Sequence, residues 1–167
     1  LVTDAGRGKL STHIDLRQEA GRENLRRLIA EADILVQGYR PGGLERWGFG
    51  PENVAKMRPG IIHVSLSAYG HVGPWSSRRG FDSLVQTASG INFAEAEAAG
   101  VDGPKALPCQ ALDHASGYFM AASAMATLAR RANEGGSWHI RVALARTGRW
   151  LQGLGRVGNG FDFAAPD

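Results

Sequence analysis

Three short apolar runs of strand type, each separated from the next by helix-patterned sequence, constrain this chain more than any other feature. Ile34-Leu35-Val36 is one run, and Ile61, Ile62, Val64 and Leu66 form the second. Trp138, Ile140, Val142 and Leu144 alternate with polar residues in the third. A fourth strand is expected over Leu10–Arg17, where Thr12, Ile14 and Leu16 alternate with His13 and Asp15. Between these runs the apolar spacing changes from strand-like to helical. Leu25, Leu28 and Ile29 mark a helix from Gly21 to Ala32, with arginines on its other side. Pro51 suits the first turn of a helix reaching Met57, because proline at that position lacks only an amide that would be unpaired anyway. Further helices are predicted over Phe81–Ser89 and from near Asp113 to Arg131, which Gly135-Gly136 closes. Thr147–Leu151 also reads as helical. The segment from Ser89 to Pro108 reads as a loose, alanine-rich connection, and Gly153–Asp167 carries no clear pattern. Strands alternating with helices predict a layered α/β domain with a largely parallel sheet. Its 167 residues suit a single domain over 1–167.

Composition excludes several functions. No run approaches the ~20 apolar residues of a membrane span; the closest, Ala111–Ala129, is interrupted by Asp113 and His114. Nothing in Leu1–Ser11 reads as a signal peptide. With one cysteine, Cys109, an internal disulfide is ruled out, so a cytoplasmic location is expected. The net charge of +3 is carried by arginines scattered singly and in pairs, without the dense stripe of a nucleic-acid-binding face. The histidines lack metal-site spacing and one cysteine cannot build a zinc site, so no metal is expected. His13, His63 and His139 fall on predicted strands, where packing or surface roles are expected. No serine sits in a G-x-S-x-G elbow. Gly153, Gly155 and Gly158 match a dinucleotide-binding pattern, but they follow a helix instead of a strand, so the match is discounted.

Two places attract chemistry. In Gln37-Gly38-Tyr39-Arg40-Pro41-Gly42-Gly43-Leu44-Glu45-Arg46-Trp47-Gly48 a strand ends in a glycine-rich turn carrying an aromatic and two arginines. In α/β sheets that edge receives ligands, although pattern alone favours an ordinary turn with solvated arginines. Asp113 stands at the head of the longest helix, where residue pattern alone favours an N-cap. The two roles are compatible, since a helix N-terminus also favours a nearby anion. Cys109, four residues earlier, is a weaker nucleophile candidate.

Taken in order, several segments resemble the family III CoA-transferases of the CaiB/BaiF type. They are Asp15-Leu16-Arg17, Asp33 to Gly42, Leu44 to Gly50, Ser67-Ala68-Tyr69-Gly70 with Gly73-Pro74, Gly80-Phe81-Asp82, Leu112-Asp113 with Ser116-Gly117, and the Gly135–Leu144 strand entry. The resemblance implies a Rossmann-like fold and transfer of coenzyme A between carboxylic acids, with acyl-CoA and an acid as substrates. It puts the catalytic aspartate at Asp113 and CoA contacts at Arg17, Gly38, Tyr39, Arg46 and Arg79, with Arg78 as the alternative to Arg79. The implied intermediates are an aspartyl anhydride and an aspartyl-CoA thioester. Related racemases of 2-methylacyl-CoA use a histidine where this chain has Phe81, which cannot move a proton. The resemblance covers only the middle portion of such proteins, so a truncated large domain is expected, and a non-catalytic CoA-binding module is the rival. Family members form interlocked dimers, which implies a homodimer.

Overall fold

The computed structural model describes residues 6–158 and 160. The last part of the glycine-rich end, from 161 onward, lies outside the described residues. Element order is α1 (Glu19–Glu31), β1 (Ile34–Gln37), a 3-10 turn (Glu45–Trp47), α2 (Pro51–Met57), β2 (Ile62–Ser67), α3 (Asp82–Ala88), α4 (Ile91–Ala99), α5 (Ala111–Glu134), β3 (Trp138–Ala143) and α6 (Leu144–Gly153). Among the described residues the strands form one parallel sheet in the order β1-β2-β3. Its register pairs Ile34 with Ile62 and Ile62 with Trp138.

Because successive side chains of a strand point to opposite faces, that register sorts the sheet into two layers. Ile62 and Val64 pack with Ile34, Trp138 and Ile140 against Met120, Ala124 and Leu128 of α5. Leu35 instead joins Ile29 of α1, Val54 of α2, Phe49 and Ile61 in a second cluster. A third cluster (Val85, Ile91, Leu112 and Leu144) ties α3, α4, α5 and α6 together beyond the end of the sheet.

The ends of α5 fix the direction of the assembly. Near its C-terminus, Arg131 donates to the Gly60 carbonyl at 2.8 Å and pairs with Asp33 at 3.0 Å, just before β2 and β1 begin. Near its N-terminus, Ser116 Oγ lies 2.7 Å from Thr147 Oγ1, just after β3 ends. Helix α5 therefore runs antiparallel to the strands, and its start lies at their carboxyl-terminal edge. With 24 residues it is about 36 Å long, against about 20 Å for the six residues of β3.

Three expectations are corrected. Residues 9–15 form no strand, and Leu10 is fully exposed. Alternation specifies a strand only where a neighbouring strand supplies hydrogen bonds, and among the described residues none pairs with this segment. Only Leu16, at its end, packs on the core. The alanine-rich connection contains α4, whose Ile91, Asn92 and Ala96 are buried. Leu144 opens α6 rather than closing β3, and that helix does precede Gly155 and Gly158.

Candidate functional site

The carboxyl-terminal edge gathers three features: the turn after β1, the loop after β2, and the start of α5. The first two meet in a cleft of about 430 Å³, whose lining includes Leu16, Tyr39, Arg40, Gly43, Arg46 and Ser77. Tyr39 is exposed there, and its amide donates to the Gln37 side-chain oxygen at 2.8 Å. The Arg46 guanidinium lies 5.4 Å from the centre of the Trp47 ring, which orients it without neutralising it. Gly38 opens the turn. Its φ is not left-handed, and a Cβ there would meet no atom within 4 Å, so the fold itself does not demand glycine.

Arg17 and Arg79 do not line this cleft, although Leu16 and Ser77 bring their neighbourhoods to it. Arg17 makes a two-pronged pair with Asp15, both bonds 2.9 Å, which holds that carboxyl down at about 2. Arg78 stacks over Trp75 at 4.6 Å, and Trp75 packs edge-on against Tyr69. Arg79, next to it, is exposed and has no carboxylate partner among the described residues. Gly80 does require glycine, because a Cβ would sit 2.5 Å from the Ala68 methyl and 3.0 Å from the Tyr69 ring.

Asp113 is not the N-cap of α5. The helix begins at Ala111 with Gln110 as its cap residue, and no side chain of that residue closes it. Asp82, the first residue of α3, does the capping from outside: its Oδ2 accepts the Asp113 amide at 2.9 Å. Asp82 is 1% exposed and also accepts a hydrogen bond from Gln86, whose oxygen takes the Leu107 amide at 3.0 Å. A buried polar bridge thus sets the first turn of α5 against α3. Asp82 carries no local sequence signal for this role, since its partner lies 31 residues away.

The Asp113 side chain is exposed and has no hydrogen-bond or ion-pair partner among the described residues. Partial burial, then the like charge of Asp82, push its carboxyl above the ordinary value, while His114 opposes them. Burial and Asp82 thus act against the favourable influence of the helix end on this anion. Cys109 is exposed. Phe81 is also exposed and offers no proton.

A second set of polar groups arises from register. His63 and His139 are directly paired, so their rings stack at 5.0 Å, with His71 edge-on to His139 at 6.1 Å. His63 is 3% exposed and both ring nitrogens lack partners, whereas His139 Nε2 lies 2.8 Å from Ser65 Oγ. Burial and the neighbouring His63 depress the His139 imidazole to about 4. Among the described residues no group of three histidine, cysteine or acidic side chains is placed to hold a metal, and no helix is long and apolar enough to cross a membrane.

A parallel sheet whose carboxyl edge carries a basic, aromatic turn and an exposed aspartate defines a layered α/β domain with a candidate ligand site at that edge. The sequence matches CoA-transferase family III over residues 1–157, and the chain belongs to that family. It is 34% identical over 138 residues to the probable fatty acyl-CoA transferase Rv3272 of Mycobacterium tuberculosis (strain ATCC 25618 / H37Rv), covering 83% of this chain and 34% of that protein. The acetyl-CoA:oxalate CoA-transferase of Acetobacter aceti is 33% identical over 140 residues, covering 83% and 35%. The orthorhombic crystal structure of Rv3272 superimposes with a TM-score of 0.81 at 33% identity, covering 89% of this chain and 41% of that one. The chain therefore spans about a third of the curated relatives' length.

Proposed function

We propose that this chain is the part of a CoA-transferase that holds coenzyme A and supplies the nucleophile, Asp113. The observation that carries the reading is an exposed carboxylate at the strand-end edge, on a helix turn whose backbone the buried Asp82 holds through the Asp113 amide. In this reading Tyr39 and Arg46, which line the cleft, receive CoA there, and Gly38, which does not line it, leaves open space just before them. Arg17 and Arg79 reach it from its margins, Arg17 by releasing Asp15.

The carboxylate attacks the thioester carbonyl of an acyl-CoA; the C–S bond breaks, leaving an aspartyl anhydride and CoA thiolate. The thiolate attacks the aspartyl carbonyl, the donor acid leaves as carboxylate, and an aspartyl-CoA thioester remains. An acceptor carboxylate then reverses the sequence, and Asp113 is regenerated. Acylation removes the negative charge of Asp113, so its repulsion with Asp82 is relieved along the reaction coordinate. Racemisation in the manner of related enzymes finds no support, because Phe81 stands where they use histidine. The proposal extends to residues 1–167 as one domain, to a homodimer and to a cytoplasmic location.

Hydroxylamine trapping in the presence of an acyl-CoA, read by mass spectrometry, tests the assignment. The hydroxamate is expected on Asp113 and is lost in Asp113→Ala. An adduct on Cys109 defeats the proposal.

A further inference from the structure

The carboxyl end of β3 holds a cleft that the CoA reading does not use. It encloses about 780 Å³, lined among others by His71, Phe119, Arg141, Arg146 and Trp150. No acidic side chain lines it. Neither arginine has a carboxylate partner among the described residues, although Arg141 also borders a separate hollow lined by Glu45 and Glu52. Phe119 and Trp150 meet edge to face at 4.8 Å and form an apolar wall, with Trp150 46% exposed. Burial and then Arg141 push the His71 imidazole below its ordinary value, which favours the neutral ring with one N–H donor.

Position links this cleft to Asp113. Strand β3 passes into α6 without a loop, so Arg146 is the third residue of α6, in a first turn where the Ala145 amide donates to the Ala68 carbonyl at 2.9 Å. Thr147, the next residue, bonds Ser116 of α5 at 2.7 Å. Phe119 follows Asp113 by six residues on the same helix, a rise of about 9 Å.

We infer that this cleft binds the carboxylic acid substrate, and that the acid is a monocarboxylate with an apolar or aromatic body. The inference rests on the CoA-transferase reading and names its acid. Arginine forks match a carboxylate in two-pronged geometry, and a wall of two aromatics favours an apolar remainder over a second charge. Oxalate, by contrast, would place a second carboxylate against Phe119 and Trp150.

Trp150 supplies the readout. Phenylacetate is expected to quench the protein's tryptophan emission saturably, and Trp150→Phe removes the quench while calorimetry still detects binding. Arg146→Gln, at an exposed position, weakens phenylacetate binding tenfold or more and leaves the unfolding midpoint unchanged. Inorganic phosphate and oxalate do not compete at equal concentration. No saturable binding, affinity untouched by Arg146→Gln, or equal competition by phosphate or oxalate overturns the inference. CoA binding and its dependence on Arg46 are measured separately in the same protein. CoA retained with phenylacetate absent removes this site alone, whereas loss of CoA binding removes the reading beneath it.

Discussion

Replacing Asp82 by asparagine tests how the site is held. In the native protein one carboxylate oxygen accepts the Asp113 amide at 2.9 Å and the other accepts the Gln86 side chain, at a position 1% exposed. Asparagine keeps one acceptor and turns an NH₂ group toward the other donor, so one donor is left facing a donor. Hydrogen bonds to a charged acceptor are worth about 1.5–3 kcal/mol net, and an unsatisfied buried donor costs about 1–3 kcal/mol. Removing a buried charge, and its repulsion of Asp113, returns part of this. The balance is a loss of about 2 kcal/mol, which lowers the melting temperature of a domain this size by roughly 4–8 °C. Urea denaturation should show a lower midpoint with unchanged slope, and the first-turn amides of α5 should exchange faster. A midpoint unchanged within about 0.5 kcal/mol, together with native exchange in that turn, refutes the capping argument.

Two further outcomes follow from the same geometry. The Asp113 carboxyl is raised above its unfolded value of 3.8, so the folded protein holds more protons between the two values and its stability falls as pH rises through that window. Asp113→Asn should therefore raise the urea midpoint at pH 7 and lose the advantage near pH 3; a loss of about 0.5–2 kcal/mol at pH 7 would make Asp113 a cap after all. Gly38→Ala puts a methyl into open space, so stability should change by no more than about 0.5 kcal/mol, while calorimetry with CoA should show at least tenfold weaker binding. Unchanged affinity would separate this turn from the ligand.

The sheet was legible because β1, β2 and β3 are short apolar runs flanked by helix-patterned sequence. Residues 10–17 carried the same alternation and failed, since a strand needs an adjacent edge as well as a pattern. Helix α4 escaped notice because alanine gives little contrast between a helix's buried and exposed faces. At the site, the turn from Gln37 to Gly48 is marked by its place after a strand end, while only the family resemblance picks Gly38, Tyr39 and Arg46 out of it. Asp82 could not be given its role, because a cap contributed from another helix leaves no local signature. The stacked His63 and His139 likewise depend on cross-strand register, which neither strand encodes by itself.

The disparity in length between α5 and the sheet has a mechanical consequence. The strands brace the rear of this helix through Ala124, Leu128 and Arg131, while its leading turns project like a cantilever. Leu112 clamps the beam on one side, and two small polar links, through Asp82 and Thr147, fix its tip. The aim of the Asp113 carboxylate can therefore be adjusted by exchanging side chains in α3 or α6, without rebuilding the layers that keep the protein folded.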